Sequence, residues 1–456
     1  MKSRKRSFVL LTLVPILVIA LVCINLPGCL NYYDPAKACN GYTLICQFNV
    51  AKLIDMNGNT VKTWEVVGFP AKMLSNGSVM ALKDPGTIGG ERSKVVQLSW
   101  DGETEWEFGE FDEVDGVMMA RAHHDFQKDG NPVGYYAPGQ EALLTGGKVL
   151  VLGGLDVMDP EISSVPLLDD VVYEVDWETK EVTVLWRACE HFDELGFNDA
   201  AKQIIYQVGG DYLHINNVNR LGPNRWYDRE TSTGDVRFHP DNLIMDSRES
   251  NITWIVNMVE GTGYEVGEIV WKIGPDYSAG TPEGGKLGQI IGQHHAHMIP
   301  QGLPGEGNIL VFDNGGIAGY PDLFRFTSRI LEFDPNTLNL VWKYEAPNFF
   351  SGFISSAQRL PNGNTLIDQG SNAKIFEVTP AGETVWEYVE GLGIPALTTA
   401  YRAYRVPPEW VPGNPAGYPL WSELYEEPAP GEAVPLNEPG PATPLQESGE
   451  PLPLPG

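Results

Sequence analysis

Six tryptophans recur at the ends of short, similar segments of this 456-residue chain. Each segment has a β-rich run, a polar turn and a second extended stretch that ends in tryptophan, which is the pattern of a β-hairpin. A second hairpin with glycine in its turn follows several of them, as in MLSNGSVMAL (73–82) and LPNGNTLIDQGS (360–371). The six tryptophans are Trp64, Trp106, Trp186, Trp271, Trp342 and Trp386.

Two hairpins per repeat make a four-stranded blade, so the repetition predicts an all-β, six-bladed β-propeller with one such tryptophan packed between each pair of neighbouring blades. A β-sandwich with scattered core tryptophans is the alternative, but these tryptophans keep their place relative to the turns. The middle repeats exceed the roughly 40 to 45 residues of a typical blade. We expect the surplus in loops, which usually carry function on a rigid scaffold.

The N-terminal segment has the composition of an export signal. Basic residues between Lys2 and Arg6 precede an apolar run over 8–26. The stretch Leu26-Pro27-Gly28-Cys29 resembles a bacterial lipobox, with Cys29 as the lipidated residue. An uncleaved membrane anchor is the alternative. Either interpretation of residues 1–29 predicts a body that is tethered to a membrane outside the cytoplasm, in the periplasm or at the cell surface.

The C-terminal segment is rich in Pro, Glu and Gly and almost lacks large apolar side chains. We therefore predict a disordered tail over 407–456, which leaves 30–406 for the propeller. The formal net charge of −29 argues against nucleic acid as a partner and requires that local cations hold any anionic substrate. Cys39 and Cys46 could form a small disulfide or remain free thiols.

Histidines are scarce, and their placement is informative. Six of the eight fall in three motifs, each between a blade tryptophan and a following strand pattern. Equivalent blade positions would gather them around the central channel. A lone histidine beside Asp or Asn is often a turn cap, but six in repeat-equivalent places favour a functional centre. The motifs are RAHHDF with His123 and His124, DYLHINN with His214, and GQHHAHM with His294, His295 and His297.

Two chemistries suit clustered imidazoles. One is metal binding by His123, His124, Asp125 and either His214 or His294. The other is nucleophilic and acid–base catalysis, in which a neutral imidazole attacks an electrophile.

Arginines favour the second chemistry, because transfer of an anionic group needs cations and a metal site does not. Arg248 is the candidate. For Arg325 and Arg329, ordinary ion pairing is the better interpretation. We therefore predict neither a metal nor a cofactor.

Several stretches together resemble the aryl-sulfate sulfotransferases, exported bacterial enzymes that move a sulfuryl group between phenols without a nucleotide sulfate donor. The resemblance spans about 51–405 and implies a six-bladed propeller with its site at the mouth of the channel. The matching stretches are HHDF at His124, DYLHINNV at His214, DSRESNITWIV at Arg248, GQHHAHMIPQG with GNILVFDNGG after His294, and SAQRLPNGNTLI.

The resemblance also implies roles for individual residues. His214, His294 and Arg248 match the family motifs, but no histidine follows His297, and Gly315–Ala318 stands where the family has an arginine. The nucleophile is therefore not transferred by alignment. We predict His294 as the nucleophile and His297 as the second candidate for that role. The full set is His294, His214, His297 and His124 for catalysis, and Arg248, His123, His295 and Asn216 for substrate binding.

The resulting hypothesis is a transfer of sulfuryl from an aryl sulfate to a phenolic acceptor through a sulfo-histidine. Two alternatives remain: a non-catalytic lipoprotein propeller that binds a ligand or partner, and a metal-dependent propeller hydrolase or lyase.

Overall fold

The computed structural model of the protein describes residues 28–85, 92–231, 233–275, 287–391 and 398–425. Its regular elements are almost all strands, as the β-rich repeats predict. These ranges also contain two short α-helices, α1 (Asp199–Val208) and α2 (Trp421–Leu424), and the 3-10 helices Cys189–His191, Val236–Phe238, Gly370–Asn372 and Pro408–Trp410. In chain order the strands are β1 (Cys29–Tyr33), β2 (Tyr42–Gln47), β3 (Val50–Ile54), β4 (Thr60–Trp64), β5 (Val67–Met73), β6 (Val79–Lys83), β7 (Lys94–Leu98), β8 (Thr104–Phe108), β9 (Asp112–Val114), β10 (Val117–Met119), β11 (Ala122–Lys128), β12 (Lys148–Val157), β13 (Leu167–Asp176), β14 (Val182–Arg187), β15 (Ile215–Arg220), β16 (Tyr227–Asp228), β17 (Thr233–Gly234), β18 (Leu243–Ser247), β19 (Ile252–Val256), β20 (Ile269–Ile273), β21 (His294–Met298), β22 (Ile309–Asp313), β23 (Arg329–Phe333), β24 (Leu340–Tyr344), β25 (Ser356–Arg359), β26 (Thr365–Gln369), β27 (Lys374–Val378), β28 (Thr384–Val389) and β29 (Arg402–Val406).

The strands form six antiparallel blades around a central channel, which confirms the six-bladed propeller. Blade 1 is β5–β8, blade 2 is β11–β14, blade 3 is β15 with β18–β20, blade 4 is β21–β24 and blade 5 is β25–β28. Blade 6 pairs the C-terminal β29 with β2–β4, so the two ends of the domain close the ring. Strand β1 adds a fifth strand to blade 5 by pairing with β28.

The two faces of the disc differ in which connections they carry. We call the face at which the innermost strands β5, β11, β15, β21, β25 and β29 begin the upper face. Because the blades are antiparallel, their second-to-third connections and the blade-to-blade connections also lie there. The hairpin turns that join the first to the second strand and the third to the fourth lie on the lower face.

Each repeat tryptophan lies on the fourth strand of its blade, counted from the channel, and binds the next blade. Its indole N–H donates to a backbone carbonyl in the third-to-fourth turn of that neighbour, so six such bonds run around the ring. The tryptophan that recurs once per blade therefore links each blade to the next, and we call these six hydrogen bonds the interblade fasteners. The bonds are Trp64 to Ser99 (3.1 Å), Trp106 to Trp177 (3.0 Å), Trp186 to Gly267 (3.1 Å), Trp271 to Pro335 (2.8 Å), Trp342 to Pro380 (2.8 Å) and Trp386 to Met56 (2.8 Å).

Trp386→Phe tests these fasteners at the joint between blades 5 and 6. Phenylalanine would keep much of the fully buried aromatic surface of Trp386, but the Met56 carbonyl would lose its hydrogen-bond donor. We expect the free energy of unfolding to fall by about 1–3 kcal/mol, measured by urea denaturation. Trp100→Phe, which removes a tryptophan that is not one of the six, serves as the control. Equal losses in the two variants would contradict the role of the indole N–H.

One edge of each innermost strand faces the channel and has no neighbouring strand in its blade. Side chains supply hydrogen-bond partners for backbone groups along that edge. Carboxylate, amide or hydroxyl oxygens accept from backbone N–H groups of the next inner strand. Examples are Asp125 with Val218 (3.3 Å), Gln127 with Arg220 (2.8 Å), Ser356 with Ala403 (3.2 Å) and Gln358 with Arg405 (2.7 Å).

Asp125 also lies at the centre of a buried ion cluster. Its carboxylate is 2.7 Å from Lys72 Nζ of blade 1 and 3.0 Å from Arg402 Nη1 of blade 6. All three side chains are almost completely buried. Burial raises the pKa of Asp125, but the two cations outweigh it and hold that pKa below its ordinary 3.8. The carboxylate therefore stays ionised and ties blades 1, 2 and 6 together.

The predicted start of the tail at 407 is wrong. Residues 407–425 pack against the propeller, with Trp421 fully buried and its indole donating to Asn40 O at 2.7 Å. Trp410 is also buried. The composition of the segment did not predict this packing, because two large buried aromatic side chains are enough to hold a stretch that is otherwise rich in Pro and Gly. The remainder of the predicted tail, 426–456, lies outside the described residues.

The N-terminal prediction falls mostly on residues 1–27, which are outside the described ranges. Cys29, the predicted lipidation site, is exposed at the start of β1. Among the described residues, no helix is long and apolar enough to cross a membrane. Cys39 and Cys46 are separate buried thiols, and burial raises the pKa of Cys46 to about 12. The disulfide alternative therefore does not hold in this structure.

Candidate active site

Three predicted site histidines occupy the same unusual backbone position in successive blades. His124, His214 and His295 have φ values of +52°, +53° and +56°. This left-handed conformation costs a non-glycine residue on the order of 1–3 kcal/mol and tends to mark functional sites. The strand register shifts beside each of them. As a result, neighbouring side chains depart from strict alternation at the upper end of the channel.

His123, His124 and His214 form a row of imidazoles with a carboxylate at each end. The two Nδ1 atoms of His123 and His124 are 3.0 Å apart, and the ring centroids of His124 and His214 are 4.5 Å apart. His123 Nε2 lies 3.3 Å from Asp170 Oδ1. His214 Nδ1 contacts Asp211 Oδ2 at 2.5 Å. We call these five residues the imidazole row.

The electrostatics of the row favour a neutral ring at His124. Burial lowers the pKa of His124 well below 6.5, and any positive charge on His214, His123, Arg248 or His294 would lower it further. Burial raises the pKa of Asp170. Burial also opposes ionisation of Asp211, but the charges of His214 and Arg248 outweigh it, and its pKa lies below 3.8. Asp211, the carboxylate at the His214 end of the row, is therefore the ionised one.

His294 lies close enough to interact electrostatically with His124, but its ring is held by the protein. Its Nδ1 lies 2.9 Å from Asn314 Oδ1, and its Nε2 accepts from the Ile354 N–H at 3.1 Å. Burial, with Arg248 nearby, lowers its pKa well below 6.5. Both ring nitrogens therefore have hydrogen-bond partners. In this conformation, attack by His294, the predicted nucleophile, would require the loss of one of these hydrogen bonds.

His295 and His297 do not join the imidazole row. Their rings are 4.4 Å apart in a deeper group, where His297 Nε2 contacts Tyr135 OH at 2.8 Å. Both are buried, and burial lowers the pKa of His297 to about 4. His295 interacts electrostatically with Arg402 and Lys72 rather than with Arg248. The HHAH motif therefore divides between two levels of the channel.

Arg248 lies on the upper-face turn after β18, beside the row. Its guanidinium donates to Glu249 Oε1 (2.8 Å from Nε), and its side chain is partly exposed. Asn216 is fully buried and donates to Gln293 O at 3.1 Å. Its backbone carbonyl accepts from Arg402 Nη2 at 2.7 Å. Asn216 therefore supports the wall of the channel below the row.

The remaining candidates have structural partners. Arg325 and Arg329 both pair with Asp313, as ordinary ion pairing predicts. Asp125, considered as a metal ligand, is bound to Lys72 and Arg402. Within the described ranges, no three His, Cys, Asp or Glu side chains are arranged to hold a metal ion.

An aromatic wall beside His124 was missed by the sequence reasoning. Phe69 stacks on Tyr401 with centroids 4.5 Å apart and meets the His124 ring edge-on at 6.3 Å. Phe48, which is partly exposed, extends the wall at 5.7 Å from Phe69. These residues come from blades 1 and 6, whose inner strands carry no histidine. The position of Phe69 and Tyr401 at the starts of those strands was the available signal, whereas Phe48 lies in the connection between β2 and β3.

The solved structures to which this chain is similar are distant. A protein of unknown function from Bacteroides caccae is 9% identical over 80% of this chain and 99% of its own, with a TM-score of 0.43. A putative 6-phosphogluconolactonase from Bacteroides fragilis is 10% identical over 82% and 100%, with a TM-score of 0.35. A streptogramin B lyase is 11% identical over 80% and 89%, with a TM-score of 0.34. Similarities this weak carry no functional argument.

No curated protein matches the sequence. The family model described as arylsulfotransferase (ASST) matches residues 145–391, which is more than half of the chain. The matched range contains His214, Arg248 and His294, whereas His123 and His124 precede it. The chain therefore belongs to the arylsulfotransferase family.

Proposed function

We propose that this protein transfers a sulfuryl group from an aryl sulfate to a phenolic acceptor through a sulfo-histidine. The imidazole row carries the proposal, because it places a partly exposed imidazole, a proton-accepting neighbour and a carboxylate at each end in one cluster. Arg248 beside the row supplies positive charge for a sulfate ester. Family membership supports the same reaction class.

His214 is the nucleophile that the geometry favours. It is partly exposed, whereas His123, His124 and His294 are buried. With Nδ1–H donated to the Asp211 carboxylate, the lone pair of Nε2 is left for attack. The sequence-based choice of His294 is less favourable here, because attack would require it to give up a hydrogen bond at one ring nitrogen.

In the first half-reaction, His214 Nε2 forms a bond to sulfur while the bond from sulfur to the aryl oxygen breaks. The phenolate leaves with the electron pair of that bond. The ring becomes cationic, and the ionised Asp211 stabilises it through Nδ1–H. Arg248 contacts the sulfuryl oxygens.

In the second half-reaction, the acceptor phenol gives its proton to His124 as its oxygen attacks sulfur. The bond from sulfur to nitrogen breaks, and His214 returns to its neutral form. The proton then passes from His124 to solvent, where the phenolate released in the first half-reaction can also take up a proton. Because burial keeps His124 neutral, it is ready to accept this proton near pH 7.

The aromatic wall supports aryl rather than alkyl groups in both half-reactions. Phe69 and Phe48 give a phenyl ring a surface for stacked or edge-on contacts next to His124. A phenolate is also a far better leaving group than an alkoxide. We further propose that the enzyme works outside the cytoplasm, tethered through its N-terminal segment by a lipid on Cys29 or by an uncleaved anchor.

The test is transfer by the full-length protein from nitrophenyl sulfate to phenol in the presence of a chelator. We expect nitrophenol release that depends on phenol, no release from an alkyl sulfate, and a sulfuryl group on the peptide containing His214 after quenching with donor alone. A label on another histidine would remove His214 from this role. Absence of turnover with aryl sulfates, or activity restored only by added zinc, would contradict the proposed reaction.

A further inference from the structure

Exposed large apolar side chains are concentrated on the upper face, around the site. Large exposed apolar patches are rare on monomeric soluble proteins and mark interaction surfaces, so the concentration points to an apolar surface that meets this face. Across the described ranges, the upper-face connections, with helix α1 included, expose Phe48, Val114, Val117, Met118, Met158, Ile204, Tyr206, Val208, Ile317, Phe324 and Phe326, whereas the lower-face loops expose Leu143, Leu144, Tyr264 and Val266. The other exposed large apolar side chains are Leu424 on helix α2 and Tyr32, Val184, Leu340 and Val341 on outer strands.

The most prominent patch is a cluster of phenylalanines on the connection between β22 and β23. Phe324 and Phe326 are 52% and 80% exposed, and their ring centroids are 4.5 Å apart. Phe350, from the connection between β24 and β25, lies 5.9 Å from Phe324. Between 317 and 327 the sequence has one acidic residue, Asp322. We call Ile317, Phe324, Phe326 and Phe350 the phenylalanine patch.

The patch is held in place rather than hanging on a loose loop. Arg325, between the two exposed rings, pairs with Asp313 at 2.8 Å and donates to Gln289 O at 3.1 Å. The Ile317 N–H donates to Gly352 O at 3.1 Å. These contacts hold the backbone in place while the phenyl rings are exposed to solvent. Contact of the apolar rings with water is unfavourable, and an apolar surface that covered them would remove this free-energy cost.

The N-terminal segment enters the domain on this same face. Cys29 pairs with Val389, the last residue of β28, and this end of β28 belongs to the upper face of blade 5. Blade 5 is the neighbour of blade 4, which carries the patch. A chain tethered through residues that precede Cys29 would therefore be held to the membrane by its upper edge.

We propose that the upper face docks onto the surface of a lipid bilayer, with the phenylalanine patch inserted at the boundary between headgroups and acyl chains. The proposal rests on the tether in the proposed function and not on sulfuryl transfer. A net charge of −29 makes anionic lipids unfavourable, so the docking surface is an electrically neutral, zwitterionic one. The mouth of the site would then open toward the lipid interface.

Photocrosslinking tests the orientation in the full-length protein. The protein is reconstituted in phosphatidylcholine vesicles that contain a lipid with a photoreactive acyl chain, and crosslinked peptides are identified by mass spectrometry. We expect peptides covering 317–327 to be labelled about fivefold or more above the lower-face peptides covering 143–147. High salt should leave the ratio unchanged, because insertion is not electrostatic.

A double variant, Phe324→Ser with Phe326→Ser, should lose the labelling of 317–327 and keep the wild-type thermal unfolding midpoint. Its matched control is Leu143→Ser with Leu144→Ser on the lower face, which should keep the labelling. Labelling confined to residues before Cys29, equal labelling of both faces, or protection of the patch by a second copy of the chain would each overturn the proposal. Chromogenic transfer with soluble substrates, measured on the same samples, shows separately whether the proposed reaction holds.

Discussion

His214→Ala is expected to reduce sulfuryl transfer on the order of 10³-fold or more, because it removes the atom that attacks sulfur. The measurements are nitrophenol release and sulfuryl labelling of the protein, and both should be lost together. Added imidazole should restore part of the release, since the cavity left by the side chain lies at a partly exposed position. Asp211→Asn should slow transfer by about 10²-fold or more with little change in KM, because the carboxylate orients the ring and stabilises its charge.

His191→Ala is the matched control. His191 Nδ1 also lies close to a carboxylate, 2.7 Å from Glu194 Oε1, but this pair is in a surface turn outside the site. Transfer should be unchanged in this variant. Its stability is measured in parallel, because His191 also stacks on Trp186 with ring centroids 5.2 Å apart. Full activity in His214→Ala, with the sulfuryl group found on His294, would instead support His294, the nucleophile predicted from the sequence.

Asp125→Ala is expected to destabilise the propeller by about 3–5 kcal/mol, because it leaves Lys72 and Arg402 as uncompensated buried charges. The effect should be larger than that of losing one tryptophan fastener, since the carboxylate joins three blades and also accepts from the Val218 N–H. Urea denaturation monitored by tryptophan fluorescence measures it.

The control for this variant is Asp193→Ala. Asp193 forms an ion pair of the same length with Lys202, 2.7 Å, but its side chain is 89% exposed. Solvent screens such a pair, so its loss should change stability by less than about 1 kcal/mol. A loss of this small size in Asp125→Ala would show that the cluster does not hold the ring together.

The repeats carry enough information to predict the propeller. A tryptophan at one fixed place in each repeat reports a contact made by every blade, and the structure confirms six such contacts. The longer middle repeats likewise place their surplus in connections, including helix α1, which begins after the N-cap Asn198 and ends at Gly209. Composition was a weaker guide at the C-terminus, where Trp410 and Trp421 extend the packed region beyond the predicted boundary.

The grouping of the site histidines could be predicted only in part. Motif positions indicated correctly that residues near His124, His214 and His294 meet at one end of the channel. They did not separate His295 and His297 from that group, because the separation arises from a left-handed residue and a register shift that no periodic pattern encodes. Asp170 and Phe69 were missed since their roles depend on neighbours far away in the chain. Asp211 lies only three residues before His214, so the DYLH motif itself carried that signal.

Sequence alone was enough for the number of blades and the family, because each follows from local patterns that recur along the chain. Which imidazoles meet in the row and which lie deep in the channel depends on contacts between blades, such as those of His124 with His214 and of His297 with Tyr135. Those contacts exist only in the assembled ring, and they account for the difference between a set of histidines and an ordered row.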